Sequence, residues 1–394
     1  MEILRSTPGN FAEQPTAWNE KNAKTITFIV TEDCQLRCKY CYIPGKNSLN
    51  RMTFEVAKNA VDYILENKTL FKESSVVWDF IGGEPFLEIE LIIRICDYIK
   101  VRMFELNHPW FNSYRFNFST NGINYAGKLV QQFIERNKTH LSIGISVDGT
   151  REKHDSQRIF PGGKGSYDQV SQNIPLWLSQ FPDASTKATV SHDDLPFVKE
   201  SVLHLWKTGI KNVNINVVFE DAWHDGDDLL FESQLRELAD VIVEEKLFEQ
   251  YSCSFFNDEI GKPVNPELDN QNWCGAGKML AIDHLGNFYP CMRFAAYSLN
   301  NHPPVIIGNA ASGIDQDKLR PYLSLTRTSQ STQECIGCDV ASGCAWCIGF
   351  NYDMAVTPTI YQRATFICKM HKARVRANNY FRNRLNETTE QRQP

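Results

Sequence analysis

Ten of the chain's twelve cysteines crowd into short stretches: Cys34, Cys38 and Cys41 near the start, then Cys274, Cys291, Cys335, Cys338, Cys344, Cys347 and Cys368 in the last third. Cys96 and Cys253 stand alone. Thiols separated by two to five residues can converge on one metal centre, whereas disulfide frameworks belong to small secreted chains. With 394 residues this chain can bury a large core without such staples. Its start, MEILRSTPGNFAEQ, lacks the apolar stretch and cleavage site of a signal peptide. No run approaches the ~18 apolar residues of a membrane span. A net charge of -6 without a basic stripe argues against a nucleic-acid partner. The expectation is a cytoplasmic protein with no membrane or nucleic-acid partner, whose cysteines ligate metal or iron-sulfur clusters.

Between the clusters, β-branched alternating stretches alternate with helical spacing. Lys24–Thr31, Ser75–Ile81, Tyr114–Phe118, Leu141–Val147, Thr186–Val190 and Val213–Phe219 read as strands. Phe54–Leu65, Leu87–Val101, Ala126–Arg136, Tyr167–Ser179, Leu195–Lys207 and Leu230–Gln250 read as helices. Six strands each followed by a helix predict an α/β fold, a partial (β/α)6 TIM-like barrel with right-handed crossovers. Its functional groups then belong at the carboxyl ends of the strands. The expected organisation is an extension over 1–23, the barrel over 24–250, an irregular bridging segment over 251–272 and a cysteine-rich domain over 273–394. The tail after Asn386 is expected to fray.

The first motif, Cys34-Gln-Leu-Arg-Cys38-Lys-Tyr40-Cys41, directly follows the first strand. Four thiolates close a cubane cluster, and three leave one iron open to a chelating small molecule. Zinc normally takes four ligands, and no fourth Cys or His lies near in sequence. Gly82-Gly83-Glu84-Pro85 ends the second strand, where glycines permit close backbone approach and a carboxylate can meet an ammonium group. Ser119 and Asn121 end the third strand, and Ser146 and Asp148 the fourth, followed by His154, Asp155 and Arg158. As isolated features these are turns, caps and a surface arginine. Their order resembles the radical S-adenosylmethionine (SAM) superfamily, in the branch containing anaerobic sulfatase-maturating enzymes and peptide maturases. The resemblance implies a [4Fe-4S] cluster on Cys34, Cys38 and Cys41, with SAM contacts from Tyr40, Gly82, Gly83, Glu84, Pro85, Ser119, Asn121, Ser146 and Arg158. Asp148 and Asp155 are either supporting groups or caps.

The later cysteines, Cys274, Cys291, then Cys335-x2-Cys338-x5-Cys344-x2-Cys347 and Cys368, resemble a SPASM domain. That likeness implies two auxiliary [4Fe-4S] clusters: an outer one on Cys335, Cys338, Cys344 and Cys368, and an inner one on Cys274, Cys291 and Cys347. The inner set is one ligand short, leaving either Cys253 or a substrate thiolate to complete it. A zinc-ribbon module is the competing reading of paired CxxC units.

Within this group the alternatives are cross-linking of a ribosomally made peptide and oxidation of a sulfatase Cys or Ser to formylglycine. Sulfatase maturases place an Asp directly after the Tyr-Pro-Cys cysteine, and here that position is Met292. The segment CDVASGCAWCIGFNYD resembles maturases of cysteine-repeat peptides, which implies thioether formation, a cysteine-rich precursor peptide as substrate and a flavodoxin- or ferredoxin-type electron donor. The basic stretch Lys369–Arg384 is either an attractor for an acidic leader or a solvated helix. A reading from another class is a non-catalytic iron-sulfur or zinc protein.

Overall fold

The computed structural model describes residues 23–44, 46, 48–265, 267, 271–272 and 274–390. The extension over 1–22 and Trp273, at the expected start of the second domain, lie outside the described residues. Strand β1 (Ala23–Thr31) is buried on both faces over its second half, as suits a central parallel strand. Strands β2 (Ser75–Gly82), β3 (Tyr114–Thr120) and β4 (Leu141–Ile145) join it in order and in parallel. The crossovers are α1 (Phe54–Glu66), α2 (Ile89–Glu105) and α3 (Lys128–Asn137). Helix α1 begins where the Thr53 hydroxyl accepts the Val56 N–H. Helix α2 buries Ile92, Ile95, Cys96, Ile99 and Met103 along one stripe, so Cys96 is a core residue.

Register gives the sheet two different faces. Phe28, Phe80 and Phe118 are paired neighbours on adjacent strands, stacked at centroid distances of 5.6 and 5.2 Å. The next register position carries Thr27, Asp79 and Asn117, whose side chains bond across the strands at 3.2 and 2.6 Å. One face is therefore an aromatic floor and the other a polar ladder.

Beyond β4 come α4 (Arg151–Gln157), α5 (Tyr167–Ser171), α6 (Ile174–Gln180), β5 (Ser185–Val190), α7 (Val198–Lys207), β6 (Asn212–Val217) and α8 (Asp227–Glu244). All six expected strands are present. The single helix expected over 167–179 is broken at Asn173, whose amide bonds the Gly122 carbonyl at 2.8 Å, with Pro175 opening the second piece.

One sheet of six does not form. Strands β5 and β6 pair with the short β7 (Ser252–Cys253) in a separate parallel sheet, and among the described residues no backbone ladder joins β4 to β5. Side chains stitch that seam instead. The Thr186 hydroxyl on β5 donates to the Ile145 carbonyl at 2.7 Å and accepts the Val147 N–H at 3.0 Å. Replacing Thr186 with valine strands both buried groups and is expected to cost about 1–3 kcal/mol, read as a lower urea midpoint. An unchanged midpoint would show that the hydroxyl does not hold the seam.

Strand β7 also places regular structure in the segment expected to be irregular. After it, β8 (Leu280–Ile282) pairs in parallel with β1, and β9 (Asn287–Tyr289), β10 (Gly308–Asn309) and β11 (Gly313–Ile314) follow antiparallel. The cysteine-rich part thus extends the first sheet to eight strands. Helices α9 (Gln316–Ser324), α10 (Arg327–Gln330), α11 (Gln333–Ile336), α12 (Ile348–Met354) and α13 (Cys368–Glu390) complete the chain.

Helix α13 runs to Glu390, and the rest of the tail expected to fray, residues 391–394, lies outside the described residues. Helix α13 lies along α8: Arg376 pairs with Glu232 and Asp228, and Arg384 and the Tyr380 hydroxyl each reach Asp240 at 2.7 Å. Within the basic stretch, Arg376 and Arg384 are taken up by the acidic side of α8, whereas Lys369 and Lys372 meet Asp225 and Glu334 on the exposed side of the helix. Among the described residues, no helix is long and apolar enough to cross a membrane.

Candidate functional site

Cys34, Cys38 and Cys41 lie on the loop leaving β1, which is held from two sides. On one side Gly83 N–H bonds the Thr31 carbonyl at 2.9 Å and Glu84 N–H the Asp33 carbonyl at 2.8 Å. On the other, Arg37 and Lys39 N–H groups bond the carbonyls of Ile159 and Gln157 at 2.7 and 3.0 Å. The glycines of GGEP serve this contact. A Cβ at Gly82 would stand 2.2 Å from the Thr31 oxygen, and one at Gly83 2.1 Å from the Asp33 oxygen. Close approach here is to the cysteine loop itself.

Glu84 is 1% exposed, and its carboxylate accepts from Phe86 N at 3.1 Å, Thr120 Oγ1 at 2.6 Å and Asn121 N at 2.8 Å. Burial raises its pKa, opposed by these bonds. The side chain therefore braces the ends of β2 and β3 together, with Pro85 opening the one-turn helix that follows. Asn121 reaches the cysteine loop, donating to Gln35 Oε1 at 3.0 Å with Cys34 Sγ at 3.9 Å. Ser119 is exposed on the strand face that carries Asn117, and Ser146 is half-buried just past β4. Burial pushes the Cys34 thiol up to about 11, so its thiolate form calls for a bound cation.

Tyr40, Asp148 and Arg158, far apart in sequence, meet beside this loop. The Tyr40 hydroxyl donates to Asp148 Oδ2 at 2.5 Å and accepts from Arg158 Nη1 at 2.7 Å. Arg158 is buried, and the nearby Cys38, Tyr40 and Asp148 hold its pKa above the usual arginine value despite that burial. Lys153, fully buried, lies 3.9 Å from Asp148 and 4.0 Å from Asp194. Nothing in the sequence marks Lys153 as interior, since a helical lysine ordinarily faces solvent. Asp155 caps α5, accepting the Tyr167 N–H at 2.8 Å, so the two aspartates take different roles. Two buried donors beside the loop, Gln35 Nε2 and Arg158 Nε, have no partner among the described residues. Three thiols on one loop, a buried cation and two donors to spare fit an iron-sulfur cluster with a carboxylate-bearing ligand.

His154 is neutral by construction. Its Nδ1 accepts the Asp148 N–H at 3.3 Å, and its Nε2 meets Ser166 Oγ at 3.0 Å, whose own hydrogen goes to the Arg158 carbonyl. Burial and the neighbouring Arg158 lower its pKa to about 3. Between that value and the ~6.5 of an exposed histidine, the unfolded chain binds a proton that the folded chain refuses, so stability falls as pH drops through that window. The expected loss by pH 3 is on the order of 4 kcal/mol. A His154→Gln variant should flatten that part of the pH-stability curve, and an unaltered slope would refute the assignment.

The later cysteines lie in two places. Cys274 and Cys347 are neighbours: Cys347 and burial hold Cys274 above the ordinary thiol range, while Cys274 and the nearby Arg293 hold Cys347 below it. Their sulfurs accept the N–H groups of Ile348 and Phe350 at the start of α12. Cys291, buried beside them, is pushed up to about 12, mainly by burial. Cys335, Cys338, Cys344 and Cys368 line one cavity of about 1030 Å³ with Trp346, Arg363 and His371. Cys253 packs in the main core, whereas Cys291 belongs to a second core with Ala276, Tyr289 and Phe294.

A contact that motif reading missed joins the first loop to the inner group. Tyr42 lies under the Arg293 guanidinium, 4.3 Å from its ring centroid, and its hydroxyl reaches Met292 Sδ at 3.9 Å. Burial beside Cys41 and Cys291 raises the Tyr42 pKa. Met292, which stands where sulfatase maturases carry an aspartate, is therefore a packing partner of the first loop. Adjacency of Tyr42 to Cys41 was the one available signal.

Residues 28–193 match the Radical SAM superfamily model. The chain is 30% identical over 203 residues to an uncharacterized protein of Methanocaldococcus jannaschii, covering 50% of this chain and 63% of that protein. It is 26% identical over 283 residues to the antilisterial bacteriocin subtilosin biosynthesis protein AlbA of Bacillus subtilis, covering 70% and 56%. Over 302 residues it is 25% identical to the serine-type anaerobic sulfatase-maturating enzyme of Bacteroides thetaiotaomicron, covering 68% and 69%. The chain thus spans less than two thirds of the first two relatives. Native anSMEcpe with bound AdoMet shares the fold at TM-score 0.69 and 17% identity, covering 94% of this chain and 100% of that one. Streptococcus suis SuiB bound to precursor peptide SuiA shares it at TM-score 0.54 and 15% identity, covering 87% and 75%.

Proposed function

We propose, from the premise that residues 28–193 are a radical SAM domain, that this chain is an enzyme that modifies side chains of a peptide or protein, forming thioether links in a cysteine-rich precursor. In this reading Cys34, Cys38 and Cys41 hold a [4Fe-4S] cluster, and Tyr40, Gly82, Gly83, Glu84, Pro85, Ser119, Asn121, Ser146 and Arg158 surround SAM. Cys274, Cys291 and Cys347 hold an inner auxiliary cluster, and Cys335, Cys338, Cys344 and Cys368 an outer one. When loaded and reduced by a flavodoxin- or ferredoxin-type donor, these groups supply a carbon radical able to remove hydrogen from the substrate.

The chain's own residues do the positioning. Arg158, fixed by Tyr40 and Asp148, presents a buried cation suited to the SAM carboxylate. Glu84 and Asn121 tie the ends of β2 and β3 to the cysteine loop.

The observation that carries the thioether reading is the separation of Cys253 from Cys291 into different cores. It supports a three-thiol inner group, whose remaining position suits a substrate cysteine, deprotonated on binding. The names of AlbA and of SuiB with its precursor peptide support a peptide substrate.

The competing reading, oxidation of a Cys or Ser to formylglycine, draws on the similarity to the Bacteroides thetaiotaomicron enzyme across 68% of this chain. Mass spectrometry after co-expression separates the two. Two hydrogens lost per link with sulfur retained is the expected result for a cysteine-rich peptide. Conversion of a sulfatase-derived Cys to an aldehyde with loss of sulfur, and no change in the cysteine-rich peptide, would overturn it.

A further inference from the structure

Two βα loops bring a pair of imidazoles together at the carboxyl ends of β5 and β6. His192 follows β5 and His224 lies in the loop after β6. His192 Nε2 and His224 Nδ1 are 3.1 Å apart. Two nitrogens bound tetrahedrally to one zinc at ~2.0–2.1 Å stand about 3.3 Å apart, so little movement converts this pair into a chelate.

Asp227, the first residue of α8, completes the arrangement. Its carboxylate takes His192 Nδ1 at 2.8 and 3.0 Å and the His224 N–H at 2.7 Å. It is buried, while His192 is half-exposed and His224 exposed. A carboxylate on one imidazole nitrogen fixes the tautomer and turns the other nitrogen's lone pair outward, as metal-ligating histidines generally require. Among the described residues, this is the one set of three His, Cys, Asp or Glu side chains whose donor atoms all lie within 4.8 Å of one another.

The surrounding loop is acidic. The loop FEDAWHDGDD carries Glu220, Asp221, Asp225, Asp227 and Asp228 around His224. Glu220, Asp225 and Asp228 pair with Arg293, Lys369 and Arg376, so Asp227, at the positive end of α8, is the carboxylate that faces the imidazoles. The loop bearing His192 is anchored as well: Gln157, neighbour of Arg158, donates to Ser191 Oγ at 3.0 Å and Asp194 Oδ1 at 3.1 Å. The His224 loop touches α13 through Asp225 and Lys369 at 3.3 Å.

We propose that His192 and His224 are the protein ligands of a divalent transition-metal site of the zinc class, with Asp227 as positioning residue and water or a substrate donor in the remaining positions. Imidazole pairs select borderline ions such as Zn²⁺ or Ni²⁺ over Ca²⁺ or Mg²⁺. The ion would clip the β5 and β6 loops together at the mouth where the strands end. The inference stands apart from the reaction proposed above and from the cysteine clusters.

The test is anaerobic equilibrium dialysis of the protein, with its iron-sulfur clusters assembled, against micromolar zinc. Zinc, iron and sulfide are counted in the wild type, His192→Gln, His224→Gln and Asp227→Asn. The expected result is one added zinc per chain in the wild type at unchanged iron, at least 30-fold weaker binding in each histidine variant, and about 10-fold weaker binding in Asp227→Asn. His224 is exposed, so its variant folds and keeps its iron. No added zinc in the wild type, or equal zinc in wild type and both histidine variants, would overturn the site. Undiminished affinity in Asp227→Asn would overturn the role given to the carboxylate.

Discussion

Replacing Cys34, Cys38 and Cys41 together by alanine is expected to abolish reductive cleavage of SAM, lowering 5'-deoxyadenosine formation on the order of 1000-fold or more, to background. The loop that carries them keeps its backbone bonds to Gly83, Glu84, Gln157 and Ile159, none of which involves a thiol. The variant should therefore fold, and its loss should be one of cofactor. On the three-cluster reading proposed above, iron content should fall by roughly a third, because Cys335, Cys338, Cys344 and Cys368 surround a separate cavity. Anaerobic iron analysis and deoxyadenosine chromatography on the same sample read both quantities. Undiminished deoxyadenosine would remove the first loop from the chemistry. Intact clusters in a wild type that never cleaves SAM would favour a non-catalytic electron carrier.

The second large effect is expected from a single methyl group. In Gly83→Ala the new Cβ would stand 2.1 Å from the Asp33 oxygen, 2.4 Å from its carbonyl carbon and 2.9 Å from Cys34 Cβ. All three belong to the cysteine loop, and two are backbone atoms that no rotamer change can move aside. Either the end of β2 or the loop must shift by about 1 Å, at a cost of roughly 3 kcal/mol or more. If the loop moves, SAM cleavage falls by about 100-fold, as misplacements of that size do in positioned sites. Gly162→Ala is the matched control, since its Cβ meets nothing within 4 Å and its effect should stay within about 0.5 kcal/mol. Equal thermal stability and equal activity for the two variants would refute the packing role of Gly83.

Sequence pattern located the strands well because parallel strands are short, β-branched and bounded by turns, as in KTITFIVT and LSIGISV. The β4–β5 seam was not legible, because a threonine hydroxyl standing in for a backbone ladder leaves no periodic trace. Glu84 reads as a ligand contact, and two of its three internal bonds come from Thr120 and Asn121 at the end of β3, thirty-odd residues away. Lys153 gave no sign of burial, because its environment comes from Asp148, Asp194 and the Thr189 carbonyl on other elements. The pairing of α13 with α8 joins residues about 140 positions apart, a separation at which charge patterning carries no address.

The parallel pairing of β8 with β1 bears on how the molecule comes apart. Strand β1 is the common neighbour of β2, which ends in GGEP, and of the hairpin that leads to Cys291. A chain cut near residue 250 would leave β1 with a bare row of amide and carbonyl groups, open to another chain's strand. The two cysteine-bearing parts should then melt as one cooperative unit rather than in sequence. A single calorimetric transition, with neither part recoverable alone as a monomer, is the corresponding thermodynamic signature.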